Sequence, residues 1–297
     1  MALFIAASDE TSGGNVLSVY HYAGWIAPEL DWSQFFTPAW QERVLDGPPK
    51  IPYLNKTEIR SKSWRKQHGI TEADADERLD EAARVIDTMG SLYPFEVSID
   101  GSLFAPLYKP HKMKVGSGAQ KPLQPDFIAF VAYVNVVLAQ VRFKYPQAEK
   151  VDFLVENNSE ITKHLYELYQ TMPAALNHVG RPDLIPLVGE FIPGGKDRIP
   201  LQAADYLCWH TRRAEANMLD DERDLRRWGT TSHRKGLSMP LPADVLTNIA
   251  QAFMEREKEN EAADRVRELR QHHAQTNKRP AQPDKSRARS GKGRKDI

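Results

Sequence analysis

Three acidic positions in the sequence stand where carboxylates do chemistry. Asp9 and Glu10 directly follow the apolar run Ala2-Leu-Phe-Ile-Ala-Ala7 and precede Thr11-Ser12-Gly13-Gly14. Glu156 follows a second apolar run, Val151-Asp-Phe-Leu-Val155, and leads into Asn157-Asn158-Ser159-Glu160. An acid at the end of a buried strand lies at the carboxyl edge of a sheet, where α/β folds gather ligands. In Ile199-Pro-Leu-Gln-Ala-Ala-Asp-Tyr-Leu-Cys-Trp209, helical spacing puts Asp205 on one stripe with Leu201 and Cys208. An acid on an apolar helix face is costly unless it is paired or metal-bound. Each position also has a plainer reading. Asp9 with Ser12 and Gly13 makes an ordinary hairpin turn. Asn158 or Ser159 with Glu160 makes a helix start. Asp205 makes a salt bridge to an arginine.

Taken together, Asp9, Glu156 and Asp205 are an oxygen-donor set suited to hard divalent cations. Two-metal nucleases hold a pair of Mg²⁺ roughly 4 Å apart on a few such carboxylates, activating water and stabilising the leaving oxygen of a phosphodiester. No His/Cys cluster has zinc-ligand spacing, and His210, His272 and His273 read as surface residues. Two basic stretches suit a phosphate-bearing substrate. One carries Lys56, Arg60 and Lys62 around Trp64, and the other, Ser102 to Gln124, carries Lys109, Lys112, Lys114 and Lys121 without an acid. Both stretches also read as solvated polar loops.

The elements that must position these residues follow from pattern. The runs 2–7 and 16–25 read as hairpin-related strands, with further strands at 51–59, 93–99, 151–155 and 185–191. Helical spacing marks 32–44 (Trp32, Phe35, Phe36, Trp40, Val44), 73–89, 125–143, 161–172 and 200–216. Paired strands followed by alternating strands and helices predict an α/β class, a mixed sheet covered by helices. A helical extension over 218–273 follows the domain 1–217, and residues 274–297 read as a disordered basic tail.

The chain has 297 residues, with 40 Lys+Arg against 40 Asp+Glu. That zero conceals a tail of +6 from Ala274 onward and a body of −6, so neutrality does not exclude a nucleic-acid partner. One cysteine, Cys208, excludes an internal disulfide and suits a reducing cytoplasm. The longest apolar candidate, Ile128 to Val141, is too short for a membrane span, so no membrane association is expected.

These motifs resemble the large "domain of unknown function 3800" family over roughly residues 2–216. The family's N-terminal Asp-Glu-Ser-Gly signature corresponds to Asp9-Glu10-Thr11-Ser12-Gly13, and its Phe-His-Met-Thr-like segment to Leu54-Asn55-Lys56-Thr57-Glu58. Its Asp-Glu-Gln-Ser-Glu pattern corresponds to Glu156-Asn157-Asn158-Ser159-Glu160, and its Pro-Leu-Gln-Ala-Ala-Asp signature is intact at Pro200 to Asp205. The resemblance implies an RNase H-like mixed sheet flanked by helices. It implies Asp9, Glu156 and Asp205 as catalytic metal ligands for one or two Mg²⁺ or Mn²⁺ ions, with Glu10 and Glu58 as further members. Together with the basic stretches, this leads to the expectation of a nuclease hydrolysing DNA or RNA, with Lys56, Arg60, Lys62, Lys109, Lys112 and Lys114 of those stretches positioning phosphates. The tail would add non-specific affinity or engage a protein partner. Asn55 stands for the family's histidine, Asn157 for an acid, and Glu156 where Asp is commoner. These departures support the rival expectation, an inactive RNase H-like module that binds nucleic acid or protein without cutting. A third reading makes the acids purely structural.

Overall fold

The computed structural model describes residues 2–11, 19–108, 112–113, 121–122, 125–157, 161–215, 219, 221–232, 237–247, 262, 265–267 and 270. The chain divides into two compact units, Met1–Ala250 and Gln251–Ile297. The first unit holds strands β1 (Ala2–Thr11), β2 (Val19–Pro28), β3 (Tyr93–Asp100), β4 (Ala148–Glu156), β5 (Val188–Gly194) and β6 (Leu237–Pro240). Its helices are α1 (a continuous run over 29–45), α2 (Lys56–Arg60), α3 (Lys62–His68), α4 (Glu72–Thr88) and α5 (Gly101–Tyr108). They continue as α6 (Pro125–Lys144), α7 (Ile161–Tyr169), α8 (Met172–His178), α9 (Ile199–Glu215) and α10 (Glu222–Ser232).

The six strands form one sheet in the order β5-β4-β1-β2-β3-β6. β2 is antiparallel to β1 and β3, β4 is parallel to β1 and β5, and β6 is parallel to β3. The chain is thus a mixed α/β structure with a helix-flanked sheet. Because β6 completes the sheet, the boundary expected after residue 217 lies inside the first unit. Side chains of Glu10, Lys109, Lys112 and Lys114, and the tail 274–297, lie outside the described residues.

Alternation along the strands explains the two layers. Ala7, Ala23, Trp25 and Ala27 share a core with Ala203, Tyr206 and Leu207 of α9. The opposite face carries Tyr22, which packs on Phe130 and Tyr133 of α6. α6 is long and apolar enough by composition to cross a membrane, but Tyr133, Val134, Val137 and Leu138 are fully buried and it serves as a core helix. In α1 the buried Trp32, Phe36, Trp40 and Val44 recur every four residues. On a 3.6-residue turn that spacing drifts about 40° per step. The wider π turns at Trp32–Phe36 and Gln41–Leu45 oppose the drift and keep the stripe inward. Phe35, expected on that stripe, is exposed.

Three further expectations need correction. The strand expected at 51–59 is a turn into α2, because the Asn55 side chain accepts hydrogen bonds from the Thr57 and Glu58 amides and so caps a helix. The strand at 185–191 begins later, since Pro182–Leu187 coils as a 3₁₀ turn. His210 is buried rather than exposed: α9 lies between the sheet and α10, so residues around most of its circumference are covered.

Gly24 pairs with Ser8, and a Cβ there would lie 2.0 Å from the Ala7 carbonyl oxygen. Gly24→Ala must therefore push β1 from β2, and urea unfolding should show a loss of about 1–3 kcal/mol. Burial holds the His210 imidazole down to about 3, against 6.5 ordinarily. The folded state thus resists protonation, and the stability linked to this group is present above pH 6.5 and lost as pH falls toward 3. An acid titration of unfolding free energy should be flatter over that window in His210→Phe.

Candidate functional site

Two of the candidate acids are brought together by strand register. β1 and β4 run parallel with Ala7 beside Leu154 and Ser8 beside Val155. Asp9 and Glu156 are the next residues on these neighbouring strands. Ala7 and Leu154, two residues earlier, belong to the core under α9, so alternation turns Asp9 and Glu156 to that face as well.

Asp205 comes from above, on α9, flanked by buried Leu201 and Cys208. Its Oδ2 accepts the Lys56 backbone N–H at 2.7 Å, and its Oδ1 accepts Asn55 Nδ2 at 3.3 Å. The first free amide of α2 is therefore spent on this carboxylate. Asn55 does two tasks, since its Oδ1 caps α2 while its Nδ2 reaches Asp205. Burial raises the Asp205 carboxyl to about 6, the Lys56 amide opposes this, and the charge of Glu156 raises it further. Like charges are thus crowded together.

Asp9, Glu156 and Asp205 line one small cleft open to solvent with Leu54, Asn55, Lys196, Leu201 and Gln202. Two members of its wall were not singled out in the sequence. Buried Gln202 accepts from Trp40 Nε1 at 2.8 Å and the Leu54 amide at 3.0 Å, and donates to the Lys196 carbonyl at 2.9 Å. One amide side chain so joins α1, the 51–55 segment and the loop before α9. Its position three residues before Asp205, on the inward stripe, was the available signal. Lys196 pairs with Glu58, and that partner raises its ammonium pKa.

Glu58, expected as a further metal ligand, is engaged elsewhere. Its oxygens accept from Lys196 and from the Tyr53 hydroxyl. Lys56, expected to contact phosphate, is fully buried, and that expectation is corrected. Its Nζ donates to buried Asp224 at 3.1 Å and lies 4.4 Å from the Trp209 ring centroid. Arg60 also grips Asp224, at 2.6 and 2.7 Å, and Arg227 completes the cluster at 3.1 Å while reaching Asp80 at 2.6 Å. Burial lowers the Lys56 ammonium to about 7 even though Asp224 opposes the shift. Lys62 is exposed and remains available to a polyanion.

A second group also went unnoticed in the sequence. One ligand atom each from His21, Glu96 and Glu215 lie within 4.8 Å of one another. His21 Nδ1 is 2.9 Å from Glu96 Oε1, and Nε2 is 3.2 Å from Glu215 Oε2. Burial raises the Glu215 carboxyl, His21 opposes this, and Glu96 adds to it. No model of a known protein family matches the sequence, and a search of curated proteins finds no match.

Asp224→Ala would leave Lys56 and Arg227 buried without their shared anion. Breaking such a cluster costs about 3–5 kcal/mol, to be read from urea unfolding of the full chain. Lys50→Ala, which removes the exposed pair with Asp46, should leave the midpoint unchanged.

Proposed function

We propose that the chain is a divalent-metal-dependent, RNase H-like nuclease that hydrolyses phosphodiester bonds in DNA or RNA. The observation that carries this reading is the convergence of Asp9, Glu156 and Asp205, from two strand ends and a helix, on one cleft. The sheet is consistent with it: an antiparallel β1-β2-β3 meander is continued beyond β1 by parallel β4 and β5, a helix-flanked mixed sheet with Asp9 and Glu156 at neighbouring strand ends.

The donor set fits Mg²⁺ or Mn²⁺, since all three acids offer carboxylate oxygens. A carboxylate has about four lone-pair sites, and Asp205 spends two of them on Lys56 and Asn55, leaving others for an ion. Asp9, Glu156 and Asp205 would hold the metal, which when bound supplies Lewis-acid stabilisation and an acidified water. The Lys56 amide and Asn55 fix the Asp205 carboxylate in one orientation. Lys196, at the cleft wall, and exposed Lys62 would draw the phosphate backbone in.

A second reading, the non-cutting binding module, rests on the same two hydrogen bonds. They neutralise part of the Asp205 charge from within the protein, so the cleft could hold its shape without an ion. The full chain, assayed with Mg²⁺ or Mn²⁺ against single- and double-stranded DNA and RNA, separates the two. The nuclease reading expects metal-dependent cleavage that Asp205→Asn reduces to background without lowering the unfolding midpoint. Absence of cleavage of every substrate, with salt-sensitive binding that survives EDTA and Asp205→Asn, would overturn it in favour of the module.

A further inference from the structure

We propose that His21, Glu96 and Glu215 form a second metal site, separate from the acidic cleft, for one borderline transition-metal ion of the Zn²⁺ type. The three residues sit on regular elements: β2, β3 and the last residue of α9. Register puts His21 beside Ser98 and Ala23 beside Glu96. Alternation therefore turns His21 and Glu96 to the face covered by α9, and Glu215 comes down on them from the helix end.

The chemistry differs from that of the cleft. Oxygen-only sites suit Mg²⁺, whereas an imidazole with two carboxylates suits Zn²⁺ and its neighbours. Donors on a tetrahedral zinc with bonds near 2.1 Å stand about 3.4 Å apart. The 3.2 Å between His21 Nε2 and Glu215 Oε2 is close to that spacing, and all three donors lie within 4.8 Å. Two carboxylates around one imidazole also carry a charge that a divalent ion cancels.

Protons are the competing occupants. A neutral imidazole has one N–H, yet both ring nitrogens of His21 face carboxylates. An ion on one ring nitrogen would leave the other N–H to donate to its carboxylate, the usual way a ligating imidazole is oriented. Access exists from one side: the His21 side chain is 1% exposed and that of Glu215 40%. From Asp205 to Glu215 is ten residues, about 15 Å along α9, so an ion here would pin the far end of the helix that carries the cleft acid.

The test uses the full chain, stripped with EDTA, dialysed, and titrated with Co²⁺ as a spectroscopic substitute for Zn²⁺ while excess Mg²⁺ keeps the oxygen-only cleft occupied. The expected result is a visible ligand-field spectrum saturating at one ion per chain and erased by Zn²⁺. Glu215→Gln, at the partly exposed helix end, should weaken binding by on the order of 10–100-fold or more. Glu96→Gln is the second variant, in case the first perturbs folding. Asp205→Asn should leave the spectrum unchanged, which keeps this test independent of the nuclease reading. A spectrum of the hydrated ion alone, or a binding curve that neither glutamate variant alters, would overturn the site.

Discussion

Asp205 sits on the inward face of α9, and the surroundings of the cleft make a carboxylate tolerable there. Leaving it unsatisfied would cost several kcal/mol. The free N–H of α2 and the Asn55 amide offset this. That solution fixes where α2 must begin, and so what holds α2 in place. Gln202 secures the preceding residue, Leu54, from below. The cluster of Lys56, Arg60 and Arg227 on Asp224 secures α2 from the side, through α10. A carboxylate on one helix therefore dictates the placement of two others.

The same constraint relates the body of the protein to its charge. The body carries a net −6, and part of that excess is gathered at Asp9, Glu156 and Asp205. Two cations of the expected phosphate-binding stretch are engaged within the protein, Lys56 buried and Arg60 still partly exposed. Lys56 is consumed by Asp224, and Arg60 is shared between Asp224 and the Trp209 face. Lys62 remains outward. Of the lysines, Lys196 stands at the cleft itself.

The acids of the cleft were legible because their environments are local. Asp9 and Glu156 end apolar strands, and Asp205 interrupts an apolar stripe. The same holds for the sheet core and for α4, where Leu79, Ala82, Ala83 and Ile86 fall on one buried stripe. The 51–59 segment misled because its apolar residues fit a strand, whereas the cap supplied by Asn55 decides for helix. Lys56 and His210 misled for a different reason. What buries them is contact with α10, whose contribution no short window of sequence displays. His21, Glu96 and Glu215 were illegible on the same ground: they meet only when β2, β3 and the end of α9 are assembled.

The central claim is that Asp9, Glu156 and Asp205 together hold a divalent ion. A crystal of the full chain soaked in Mn²⁺ and measured for anomalous scattering tests it directly. A manganese peak bounded by the oxygens of those three side chains is the predicted result. An empty cleft at saturating Mn²⁺, with any peak confined to other residues, would contradict it.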